Sequence, residues 1–123
     1  MSWKGTWRNQ YGSTLRVTDD AGGRIAGVFS TALRDSGFYG AEVPVTGVHR
    51  GDCISFTFAH AGRAGDVICS FTGLLRDGTL QAAWHVVTDA GLRASAPGEP
   101  ATVEKLGWAH AVSTNVDTFE RTG

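Results

Sequence analysis

The chain has 123 residues, enough for one domain built around one core. With 41% hydrophobic and 19% charged residues it can bury that core, and 11 Lys plus Arg against 12 Asp plus Glu leave a formal charge of −1. That balance lacks the basic field that nucleic acid or an anionic membrane surface requires, so neither is expected as a partner. The apolar runs fall far short of the ~18 residues of a spanning helix. The opening MSWKGTWRNQ shows no basic region leading into an apolar one, so no secretory signal is read there. A cytoplasmic protein is expected from the sequence as written, or a secreted one if the chain is a mature form with an added Met.

Seventeen Gly against three Pro suit short strands joined by tight turns. Residues 5–10 read as a first strand. In 13–18, Leu15 and Val17 share one face while Thr14, Arg16 and Thr18 share the other. Asp19-Asp20-Ala21-Gly22-Gly23 then supplies turn chemistry, because Gly tolerates the positive φ of hairpin turns. A third strand over 24–31 sets Ile25, Gly27 and Phe29 together, and a fourth over 43–49 opens near Pro44. Residues 53–58 alternate cleanly, with Ile54, Phe56 and Phe58 on one face. A Gly-rich turn over 60–65 leads into a strand over 66–75. Arg76-Asp77-Gly78 then turns the chain into 79–88, where Leu80, Ala82, Trp84 and Val86 share a face. Residues 111–119 make the eighth strand.

Eight short, evenly spaced strands predict an all-β fold, either an eight-stranded antiparallel up-and-down β-barrel or a sandwich. A closed barrel of this size has room inside for one small ligand. The exception to short connections is the loop 89–107, which holds Pro97 and Pro100. A loop of that length in a single compact domain, residues 1–123, is expected to be functional, as a lid over the pocket mouth. A short helix at 102–106 is weakly signalled within it.

Residues 5–14, Gly-Thr-Trp-Arg-Asn-Gln-Tyr-Gly-Ser-Thr, fill every fixed position of the pattern G-T-W-x-N-x-x-G-S. In this the sequence resembles the avidin/streptavidin family, and similar stretches recur at 25–31, 45–47, 54–59, 71–73, 80–87 and 117–119. The resemblance covers nearly the whole chain apart from the 89–107 loop. It implies the barrel and a non-catalytic binder of biotin or a biotin-like cyclic urea. It also implies no cofactor, and assembly into a homodimer or homotetramer through outer barrel faces.

By the same resemblance, Asn9 and Ser13 donate to the ureido oxygen, and Thr31 and Asp117 accept from the ureido N–H groups. Phe29 stands where the family has a third donor, a Tyr; one lost neutral hydrogen bond costs about 0.5–1.5 kcal/mol. Trp84, Phe58 and Phe71 take the places of aromatic walls, and Trp108 that of the Trp which one subunit lends to its neighbour. Val67 and Cys69 replace positions that carry hydroxyls near the ligand tail. Asp35 replaces an Asn near the ligand carboxylate, and Arg34 beside it would compensate if it pointed inward. This end of the site implies a lowered affinity or a ligand with a different tail.

Other readings of these residues stay open. Asn9, Ser13 and Asp117 also suit a structural network closing the barrel end, and the aromatics suit plain core packing. Cys69 falls on an inward face and Cys53 on an outward one, which opposes a disulfide and leaves Cys69 a small buried hydrophobe. His49, His60, His85 and His110 show no metal spacing and read as surface residues, so no metal is expected. The rival function is a biosynthetic enzyme, a cyclase or isomerase using the barrel as its cavity. Asp117 would then be the acid or base, and Cys69 the second candidate.

Overall fold

The computed structural model describes residues 2–34, 39–61, 65–93, 97–98, 100 and 102–123. Alternation along the chain produces β1 (Gly5–Asn9), β2 (Thr14–Asp19), β3 (Arg24–Ser30), β4 (Val43–Arg50) and β5 (Cys53–Ala61). It continues through β6 (Asp66–Arg76), β7 (Thr79–Thr88), β8 (Ala90–Arg93), β9 (Thr102–Lys105) and β10 (Val112–Arg121). Eight of these close into one barrel in the order β1-β10-β7-β6-β5-β4-β3-β2. Sequential neighbours pair antiparallel, and the pairing of β1 with β10 closes the ring. Of the barrel and the sandwich that the alternation leaves open, the observed fold is the all-β, eight-stranded up-and-down barrel that the family resemblance implies.

The 89–107 segment, expected as a long loop, carries two strands. Its residues 102–106 do not form a helix: β9 pairs antiparallel with β8, Ala90 opposite Lys105 and Arg93 opposite Thr102. Thr102 and Val103 are β-branched, and all four residues of β9 are solvent-exposed, so a helix here would have no face to bury. The helical turn comes later, α1 (Trp108–Ala111), where the His110 and Ala111 amides each donate to the Gly107 carbonyl at 3.0 Å.

Inward positions of the barrel carry the core: Leu15, Val17, Ile25, Val43, Ile54, Phe56, Leu80 and Phe119 are all buried. Each such aliphatic or aromatic side chain contributes about 1.5–3 kcal/mol by leaving water. Trp3 and Trp7 stopper one end, with ring centres 5.5 Å apart and Trp7 Nε1 donating to the Trp3 carbonyl at 2.9 Å. The entering segment is pinned by Asp20, whose carboxylate accepts from the Ser2 hydroxyl at 2.9 Å and the Trp3 amide at 2.7 Å. Those bonds, the Ser2 one foremost, hold its acid below the usual carboxylate range. His49 belongs to this end too: it is half-buried, and its Nε2 donates to the Asp20 carbonyl at 2.7 Å. It is therefore not the surface residue that its sequence context suggests.

Tight closure relies on glycine at inward positions. A Cβ on Gly47 would sit 2.7 Å from Phe56 Cα and collide with the Ser55 carbonyl, and one on Gly73 would lie 2.5 Å from the Gln81 carbonyl oxygen. Neighbouring backbones approach too closely there for any side chain, which lets the sheet coil into a narrow barrel.

Candidate ligand site

At the end opposite the tryptophan stopper the barrel keeps a cavity of about 430 Å³, a size suited to a small organic ligand. One wall is polar and lies at the closing seam. The turn after β1 shapes it: Gly12 adopts φ +87°, its amide donates to the Asn9 carbonyl at 3.0 Å, and the chain doubles back into β2. That turn brings the Tyr11 and Ser13 amides onto Asn9 Oδ1, at 3.0 and 2.9 Å, which orients the Asn9 side chain. Its Nδ2 then donates to Asp117 Oδ2 at 3.0 Å. Asp117 Oδ1 accepts from Trp84 Nε1 at 2.9 Å and, more distantly, from Gln10 Nε2 at 3.4 Å. On the other side of the turn, Ser13 Oγ accepts the Ala32 amide at 2.9 Å and lies 3.5 Å from Thr31 Oγ1. Thr31 Oγ1 accepts the Leu33 amide at 3.2 Å.

Counting bonds at these four groups leaves a definite remainder. Asn9 has used both lone pairs of its oxygen and one of its two N–H bonds, so one N–H is left. With the Thr31 hydroxyl donating across the long contact to Ser13 Oγ, the Ser13 proton stays unused. Three donors reach Asp117, whose two oxygens offer about four acceptor positions, so one remains, on Oδ2. Thr31 Oγ1 keeps a second lone pair. Two donors and two acceptors therefore face one small cavity, and Asp117 is only 4% exposed before any ligand arrives.

The remaining walls are apolar. Phe71, Cys69 and Val67 follow one another along the inner face of β6, with Val86 beside them on β7. Phe71 stacks on Phe56 at 4.7 Å, and Phe29 tilts against Phe71 at 5.5 Å. Burial, and after it the negative charge of Asp117, push the Cys69 thiol up to about 12. At neutral pH that keeps it protonated, as a weakly polar wall group. Cys53 is exposed and also free, on the opposite face of its sheet, so the two thiols are not bridged.

Asn9, Ser13, Phe29, Thr31, Val67, Cys69, Phe71, Trp84 and Asp117 all line the cavity. Phe58 does not: it lies behind Phe29, ring against ring at 5.2 Å, and acts as its backing. Trp108 is also absent from this chain's cavity, standing 93% exposed on α1. Among the described residues of 89–107, none lines the cavity. Asp35 lies outside the described residues, and its neighbour Arg34 is exposed. Five residues that sequence reasoning passed over complete the lining: Tyr11 and Leu33 at the mouth, Val86, Thr88 and Ser113. Val86 and Thr88 were discoverable, since they continue the inward alternation of Trp84. Gln10 was missed because it works from an exposed position, its Oε1 accepting the Thr118 amide at 2.9 Å.

The sequence model of the avidin family matches residues 1–97. No curated protein sequence is significantly similar to the chain. Among solved structures, core-bradavidin is 27% identical, with a TM-score of 0.71 over 95% of this chain and 97% of that one. The bradavidin2–biotin complex has a TM-score of 0.73 at 15% identity, over 100% of both chains. The rhizavidin–biotin complex has a TM-score of 0.71 at 20% identity, over 99% of this chain and 93% of that one. At these lower identities the likeness is one of fold.

Proposed function

The chain belongs to the avidin family, and from that premise we propose that it binds biotin, or a cyclic urea with the same head group, without chemical conversion. The observation that carries this reading is the unused bonding capacity at the seam. The Asn9 N–H and the Ser13 O–H suit a carbonyl oxygen, and Asp117 Oδ2 and Thr31 Oγ1 suit the two flanking N–H groups. A cyclic urea presents that pattern within one rigid ring. Trp84, Phe29 and Phe71 then pack the apolar body of the ligand. The polar groups are held by internal hydrogen bonds beforehand, so little ordering remains to oppose binding. Phe29 brings no hydroxyl to the carbonyl, and the expected affinity is correspondingly reduced.

Assembly into a homodimer or homotetramer belongs to the same proposal. Ile68 of β6, Val87 of β7 and Val112 of β10 are exposed and sit side by side in register on the barrel's outside. Such a row favours a second copy over water. In such an assembly the exposed Trp108 is available to a neighbour's cavity mouth.

Calorimetric titration of biotin into the protein, with Asp117→Ala in parallel, tests the reading. We expect one ligand per chain and at least a tenfold weakening in the variant. No heat and no thermal shift at millimolar biotin would overturn biotin as the ligand.

A further inference from the structure

The two halves of the cavity differ in what they offer a ligand. The seam half holds most of the hydrogen-bonding groups, whereas the half toward the mouth is bounded by Val67, Cys69, Val86 and Leu33, with the hydroxyls of Tyr11, Thr88 and Ser113 among them. Among the described lining residues Asp117 carries the only formal charge, and it is negative. A ligand seated by its ureido ring at the seam must run its tail along this apolar wall. We propose that the site selects cyclic ureas whose tail is uncharged, ester- or amide-linked, over those ending in a free carboxylate.

This rests on the head-group reading above and narrows its ligand class. A carboxylate entering the mouth half gives up water, and Val67 and Val86 return nothing to it. The charge of Asp117 acts on it with the same sign, through a cavity of low dielectric where such repulsion is weakly screened. That charge reaches the tail wall, since it contributes to keeping the Cys69 thiol protonated. Hydroxyls such as those of Thr88 and Ser113 bond a carboxylate more strongly than a neutral carbonyl, but so few of them replace only part of the hydration that a carboxylate gives up on entry. An ester carbonyl thus keeps the available hydrogen bonds and avoids both penalties.

The test compares biotin with biotin methyl ester by calorimetry at neutral pH, on the wild-type chain and on Val67→Ser. The ester is expected to bind about tenfold more tightly or better. In Val67→Ser, which offers a carboxylate one more donor, the ratio is expected to narrow. A wild-type ratio below about tenfold, or a preference for biotin, overturns the inference and leaves the proposed function standing. An unchanged ratio in Val67→Ser overturns the role given to this wall. Failure of both ligands to bind overturns the head-group reading itself.

Discussion

Asn9 and Asp117 lie 108 positions apart in the chain, yet Asn9 Nδ2 donates to Asp117 Oδ2 across 3.0 Å. The bond joins β1 to β10, the pair that closes the barrel. The polar head of the site therefore exists only once the first and last strands have met, and the same contact serves closure and recognition.

Removing the hub of this network exposes its structural share. Asp117→Ala leaves Asn9 Nδ2 and Trp84 Nε1, and the longer Gln10 contact, without their acceptor. Unsatisfied buried donors cost about 1–3 kcal/mol, and the ligand-free variant is expected to lose stability by that order. Urea unfolding monitored by tryptophan fluorescence measures it; an unchanged midpoint would show that the network stabilises nothing by itself.

Phe29→Tyr should improve binding. Phe29 is buried, lines the cavity and is backed by Phe58 and Phe71, so its ring has little freedom to move away. A phenol there adds a third donor toward the ureido oxygen, a gain of about 0.5–1.5 kcal/mol, or roughly two- to tenfold in the biotin dissociation constant. Calorimetry on both proteins decides it, and weaker binding by the variant would mean that the hydroxyl points away from the ligand.

Cys69 makes the fold sensitive to alkali. Its folded-state pKa, about 12, lies above the ordinary value of 9.0, chiefly through burial. Below pH 9 both folded and unfolded chains keep the proton, and the contribution to stability is fully present. Between about pH 9 and pH 12 the unfolded chain releases it and the folded chain does not, so stability falls with rising pH. Melting curves across that window should decline less steeply for Cys69→Ala than for the wild type. Thiol labelling at pH 8 is expected to modify Cys53 alone in the folded protein and both cysteines after denaturation.

Gly47→Ala tests how tightly the barrel is coiled. The added methyl would meet Phe56 Cα at 2.7 Å and the Ser55 carbonyl oxygen more closely still. Backbone on the neighbouring strand has to move, at a cost of about 1–3 kcal/mol. A drop of several degrees in the melting temperature is the expected outcome. Ala26→Gly, on the exposed face of β3, provides a control outside the coiled interior.

Legibility followed the range over which each feature is decided. Leu80, Ala82, Trp84 and Val86 could be placed on one face because strand side chains alternate with a period of two. Residues 5–14 could be matched to a site because the turn brings Asn9 and Ser13 together within five positions. His49 could not be read in this way. Its burial depends on the carbonyl of Asp20, 29 residues away, at the stoppered end.

The eight barrel strands, their inward faces, most turn positions and the identity of the polar groups were determined by the sequence alone, since each rests on neighbours a few residues apart. The tertiary structure decided which bonding capacity stays unused at Asn9, Ser13, Thr31 and Asp117. It also set Phe58 behind Phe29, left Trp108 outside the cavity, and paired residues 102–105 with β8. Those outcomes depend on distances between groups from separate strands, and such distances are established only when the closed sheet brings the strands together.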